Sequence, residues 1–140
     1  MAVRVKVRVK RRGVEVETSA LLNTGFEAET PQLLIPRSLA AKLELWPPPP
    51  EAQLVEVGTA GGPVRNYFVP GAVEVLLDAG DRVVGPVKCD VLISHLEFEV
   101  LVSDALMSAF NIVILDAKGG KWRLSDEEKV RYTEPPQLWF

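Results

Sequence analysis

The chain has 140 residues, room for one domain with a buried core and too little for two. Hydrophobic residues at 47% and charged residues at 25% exclude a disordered tail or a collagen-like repeat. Sixteen basic against nineteen acidic residues leave a net charge of −3, which supplies no excess of cations for a nucleic-acid partner.

One cysteine, Cys89, excludes an internal disulfide framework, and with one histidine, His95, it cannot close a zinc site, so neither metal nor cofactor is expected. No apolar stretch reaches the roughly 18–20 residues a membrane-spanning helix needs. The N-terminus alternates valine with arginine and lysine and lacks the apolar centre of a signal peptide. The expectation is a single cytoplasmic domain over residues 1–140 with no membrane partner.

Period-2 alternation dominates the first eighteen residues. Val3, Val5, Val7 and Val9 share one face, and Arg4, Lys6, Arg8 and Lys10 share the other. A two-residue turn at Arg12-Gly13 sets Lys10 opposite Glu15, Arg8 opposite Glu17 and Val9 opposite Val16. Opposite charges then meet on one side and valines on the other, so this basic run reads as a structural hairpin rather than a nucleic-acid strip.

A short apolar strand, Ser19-Ala20-Leu21-Leu22, ends in the polar turn Asn23-Thr24-Gly25. After an acidic loop, Leu33-Leu34-Ile35 predicts a second buried strand, and residues 36–43 predict one or two helical turns with Pro36 at the start. Four prolines, 47–50, form an extended connector.

Residues 54–57 run into Gly58-Thr59-Ala60-Gly61-Gly62-Pro63, from which residues 64–69 return. Residues 72–77 and 82–84 flank a hairpin loop at Asp78-Ala79-Gly80-Asp81. Two more strands are predicted at 87–93 and 98–102, then a short helix at 104–110 with Asp104 placed to cap it. Residues 111–115 and 121–124 form a closing hairpin around 116–120. A tail from 125 is charged, then proline-rich, and ends in Leu138-Trp139-Phe140. The fold class is all-β with two short helices.

At Ala20-Leu21-Leu22-Asn23-Thr24-Gly25 the chain resembles the active-site loop of the retropepsin-like aspartic proteases, whose motif is two or three apolar residues followed by Asp-Thr-Gly. The order of the following elements is similar too: a short strand and a serine-bearing helical turn (33–43), a glycine-rich hairpin (58–63), and an apolar strand, helix and hairpin (100–124). Two positions depart from the family pattern. Phe26 stands where a small residue follows the triplet, and Val102 or Ser103 stands where a glycine precedes the helix.

The resemblance implies a retropepsin-like closed β-barrel over about residues 3–124, assembled as a homodimer with the 125–140 tail buried in the interface. It implies Asn23, Thr24 and Gly25 as the catalytic loop, with Asn23 in the position of the catalytic aspartate. Gly58, Thr59, Ala60, Gly61 and Gly62 become the flap over an extended peptide substrate.

Aspartic-protease catalysis needs two carboxylates that share one proton and act together as acid and base. Symmetry would instead set Asn23 opposite Asn23, and a neutral amide takes no proton from water at ordinary pH. Loss of general acid–base catalysis removes about 10²–10⁴ of rate, so peptide hydrolysis is expected to be weak or absent. The chain then reads as a natural pseudoenzyme or as an engineered inactive variant of an aspartic endopeptidase. The competing reading is a small β-barrel module that binds peptides or proteins, or assembles, without peptidase activity.

Among the remaining reactive groups, Asp104 reads as a helix cap rather than a substitute acid. Ser94-His95 lacks a strained nucleophile elbow. Cys89 lies in an alternating strand as a small core residue.

Overall fold

The computed structural model describes residues 2–140. The first hairpin is β1 (Arg4–Arg11) and β2 (Val14–Leu22), with Lys10 opposite Glu15, Arg8 opposite Glu17 and Val9 opposite Val16, the register that the charge pattern predicts. Val3, Val5, Val7 and Val9 are all buried. Each such burial contributes about 1.5–3 kcal/mol, and this outweighs the loose pairing of Lys10 with Glu15 at 3.7 Å and Lys6 with Glu17 at 3.8 Å on the opposite face. Arg8 turns away from Glu17 and bonds Asp78 at 2.8 Å instead.

The chain continues through β3 (Gln32–Pro36), α1 (Arg37–Lys42), β4 (Gln53–Thr59), β5 (Gly62–Asp78), β6 (Val83–Ser94), β7 (Val100–Val102) and α2 (Asp104–Ala109). Six strands close into a barrel in the order β1-β2-β7-β3-β6-β5, and β5 returns to β1. β4 lies outside the ring and pairs only with β5. Closure depends on β5, which is 17 residues long. Its first part pairs with β4, and its last part, from Glu74, pairs with β1. An irregularity between Val69 and Val73, at Pro70-Gly71, bends it from one task to the other. Asp90 holds this bend by accepting from the Gly71 amide at 2.7 Å.

A second, three-stranded sheet of β8 (Ile112–Asp116), β9 (Lys121–Leu124) and β10 (Arg131–Tyr132) follows α2. Fully buried Phe110, Leu33, Ile35, Leu39, Leu43 and Leu106 lie in the single core that joins the two helices to the barrel.

Four expectations need correction. Residues 19–22 are not a separate strand but the end of β2. Alternation fails there because Ser19, opposite Lys6 on the outward face, is buried along with the inward Thr18 and Ala20; the tail lies beside it, with Gln137 accepting from the Ser19 amide. The strand predicted at 98–102 begins only at Val100. Ser94 Oγ accepts from the amides of Leu96 and Glu97 and holds a turn, and the Phe98 carbonyl accepts from Trp139 rather than a neighbouring strand.

The cap of α2 is Ser103, whose hydroxyl accepts from the Leu106 amide at 3.1 Å, and Asp104 is the first helical residue. β10 lies in the segment read as an irregular tail; two residues carry no readable period. Among the described residues no helix is long and apolar enough to cross a membrane.

Candidate functional site

The Asn23 turn begins where β2 leaves the barrel. β2 runs parallel to β7, and the Asn23 amide extends that pairing by donating to the Val102 carbonyl at 3.2 Å. The chain then reverses. Asn23 Oδ1 accepts from the Gly25 amide at 3.0 Å, and the Asn23 carbonyl accepts from the Phe26 amide at 3.0 Å. This is the local turn that an Asn side chain favours. A Cβ on Gly25 would lie 3.3 Å from Asn23 Oδ1, so a glycine there lets the side-chain oxygen approach the backbone.

Below the turn, α2 ties the site to the barrel. The Asp104 amide donates to the Phe26 carbonyl at 2.9 Å, and Asp104 Oδ1 accepts from Ala28 at 2.9 Å and Ala105 at 2.7 Å. Ser103 Oγ also accepts from the Gln32 amide at 3.0 Å, at the start of β3. Asp90 Oδ2 accepts from the Thr30 hydroxyl at 2.6 Å, so one carboxylate holds both the end of this loop and the β5 bend. The turn is mounted on the ends of β2, β3 and β7, with Asp90 of β6 bracing the loop behind it.

Asn23 is half-buried, whereas Thr24 and Gly25 are exposed. Thr24 lines an open cavity of about 360 Å³ with Ala2, Val3, Leu22, Ile114 and Lys118. The second predicted group, 58–62, forms the tip of the β4–β5 hairpin. Thr59 pairs with Gly62 across a two-residue turn of Ala60 and Gly61. The Thr59 hydroxyl donates to the Gly62 carbonyl at 2.5 Å, and Gly62 has φ +109°, a conformation that favours glycine. Among the described residues no hydrogen bond joins this tip to the Asn23 turn.

Chemically, the turn offers a neutral amide, the hydroxyl of exposed Thr24 and exposed backbone. Its nearest bonded carboxylate, Asp104, is occupied in holding Ala28 and Ala105. Ser94 and His95 do not form a nucleophile–base pair: the Ser94 hydroxyl oxygen is used by two backbone amides. Cys89 is buried, and burial, reinforced by the charge of Asp90, pushes its thiol up to about 12, which leaves it unreactive. No cluster of three or more His, Cys, Asp or Glu with metal-holding geometry exists among the described residues.

Sequence reasoning missed Ser103 and Asp90 as supports of the site. Ser103 had a signal, as a serine immediately before a helical run. Asp90 had none, because its partners Thr30 and Gly71 are distant in the chain. Compared with known proteins, the chain matches no family model and no curated protein.

Proposed function

We propose that the chain is a homodimeric, retropepsin-like aspartic-protease homologue that binds extended peptides and cleaves them weakly or not at all. The observation that carries this reading is the setting of Asn23-Thr24-Gly25. The triplet leaves the end of a barrel strand, bonds to the end of β7 immediately before a short helix, and shares its barrel with a glycine-tipped hairpin. In such a dimer each copy contributes one Asn23 at the two-fold axis. The hairpin would cover a peptide held by strand-like main-chain hydrogen bonds, which need no catalytic carboxylate.

Asn23→Asp is close to isosteric, and its carboxylate can keep the bond to the Gly25 amide. The test compares the chain with this variant on a mixed peptide library from pH 3 to 7. Cleavage by the aspartate form alone, blocked by a statine-type inhibitor, is the expected result. Silence from both forms, with a monomer in sedimentation, would sink the reading.

A second reading, a β-barrel binding module with no peptidase function, is favoured by one observation. Asp104, the carboxylate bonded nearest the turn, serves the backbone. Silence from both forms with an intact dimer is the outcome it expects.

A further inference from the structure

A groove of two compartments lies between α1, the segment after it and the end of β6. It is lined by none of the Asn23 turn or the hairpin tip. The first compartment, about 130 Å³, is formed by Arg37, Trp46, Arg65, Tyr67, Ile93 and His95. Trp46 and Tyr67 meet edge to face, with centroids 5.9 Å apart, and the Arg37 guanidinium lies 5.4 Å from the Trp46 ring centroid.

Neither Arg37 nor Arg65 forms an ion pair among the described residues, although Glu56 stands opposite Arg65 in the β4–β5 register. No acidic residue lines this compartment.

Arg37, Trp46 and His95 also border the second compartment, about 270 Å³. Its walls are apolar: Trp139, Phe98 and Phe140, the last two in ring contact at 5.0 Å yet 48% and 83% exposed. Its one acid is Glu97, and it is also lined by Ser38, whose hydroxyl oxygen is shut from solvent with no hydrogen-bond partner among the described residues. A cationic, aromatic-walled recess therefore opens directly into an exposed aromatic one.

We propose that this groove docks an extended peptide segment of a protein partner, one that presents an acidic side chain next to an aromatic or aliphatic one. The carboxylate enters between Arg37 and Arg65, where planar guanidinium groups pair with it. The neighbouring apolar side chain covers Phe98 and Phe140. Two arginines in a chain of net charge −3 complement a carboxylate but do not form the run of cations that tracks a nucleic-acid backbone. This docking does not depend on what the Asn23 turn does.

The test uses the full chain and a fluorescein-labelled Gly-Glu-Phe-Asp-Phe-Gly peptide with blocked ends, read by anisotropy. Saturable binding is expected, about tenfold weaker for Arg37→Gln or for Arg65→Gln, and unchanged for Lys121→Gln, an exposed cation outside the groove. The Gln/Asn analogue of the peptide should also lose about tenfold. Both arginines are exposed, so the variants should keep the wild-type melting curve, measured alongside.

Equal affinity for the neutral analogue, undiminished binding by the Arg37→Gln/Arg65→Gln double variant, or no saturation by about 1 mM would each overturn the proposal. So would tighter binding of a single-stranded oligonucleotide than of the peptide. Equally tight binding of the neutral analogue with a free C-terminus would assign the recess to chain ends and overturn the acidic side chain as its occupant.

Discussion

Asp104 accepts a hydrogen bond from the amide of Ala28 at 2.9 Å across 76 positions of sequence. With its own amide bonded to the Phe26 carbonyl, this one residue clasps the loop that follows Asn23 to the first turn of α2. The candidate site is thus held by a group that need not touch any ligand.

Asp104→Ala should therefore cost about 1–3 kcal/mol in urea denaturation, since backbone donors at Ala28 and Ala105 lose their acceptor. Asp104→Asn keeps an oxygen acceptor and should cost clearly less. Hydrogen exchange at the Ala28 amide should accelerate in the alanine variant; unchanged exchange would mean that the clasp does not hold the loop.

The C-terminal sheet is joined to the β5–β6 hairpin loop by ion pairs, and this predicts acid sensitivity. Asp81 is held far below the usual carboxylate range by hydrogen bonds from Arg131 and then Lys129. Asp126 is lowered by Arg82, and Asp78 by Arg8 and then the Gly80 amide. Carboxyls with lowered folded-state values stabilise fully above the unfolded value of about 3.9 and lose that contribution as pH falls below it. The urea midpoint should change little from pH 7 to 5 on their account, then drop toward pH 2. Asp81→Asn should flatten the drop, and because Asp81 and Asp126 are largely solvent-exposed, 1 M salt should shrink their share of it. An identical pH profile for Asp81→Asn would remove this pair as the cause.

At the hairpin tip, Gly62→Ala separates backbone from packing. A Cβ there meets nothing within 4 Å, so the penalty comes only from φ +109° and should be about 1–3 kcal/mol. It should fall on the hairpin, speeding proteolysis near 58–62 while the barrel's melting temperature changes little. A large fall in barrel stability would show that the tip and barrel unfold as one unit.

The tail is anchored to its own barrel. Trp139 donates through its amide to Phe98 at 2.7 Å and through Nε1 to the buried Thr18 hydroxyl at 2.9 Å. Trp139→Phe keeps most of the ring and loses one hydrogen bond, at a cost of about 0.5–1.5 kcal/mol. Deleting residues 135–140 decides between two uses of the tail, which also walls the peptide groove through Trp139 and Phe140. Conversion of a sedimenting dimer to monomer would place the tail in the interface and take Phe140 out of the groove, whereas an unchanged dimer would take the tail out of the interface.

Local periodicity was legible where one face met the core and the other met water. The β1–β2 hairpin follows from its valines and charges alone, down to the register of Lys10 with Glu15 and Val9 with Val16. The turn at Asn23-Thr24-Gly25 and the glycine-rich hairpin at 58–63 were legible for a similar reason: Asn and Gly favour tight turns whatever surrounds them.

The rest required the folded chain. Alternation fails at Ser19 because a tail more than a hundred residues away lies beside β2. Arg8 leaves its register partner Glu17 for Asp78, because closing the barrel brings β5 beside β1. Ser103 rather than Asp104 caps α2, since only in the folded chain is Asp104 drawn to Ala28.

By itself the sequence determined an all-β chain, the inward face of its first strands, its turns, and the asparagine in the position the resemblance makes catalytic. Tertiary structure decided which strand ends hold that asparagine, which carboxylates support it, and that two arginines with no ion-pair partner among the described residues share a recess with Trp46 and Tyr67. Alternation and turn preference act over a few residues and are written locally, whereas barrel closure and side-chain pairing join positions that only the fold makes neighbours.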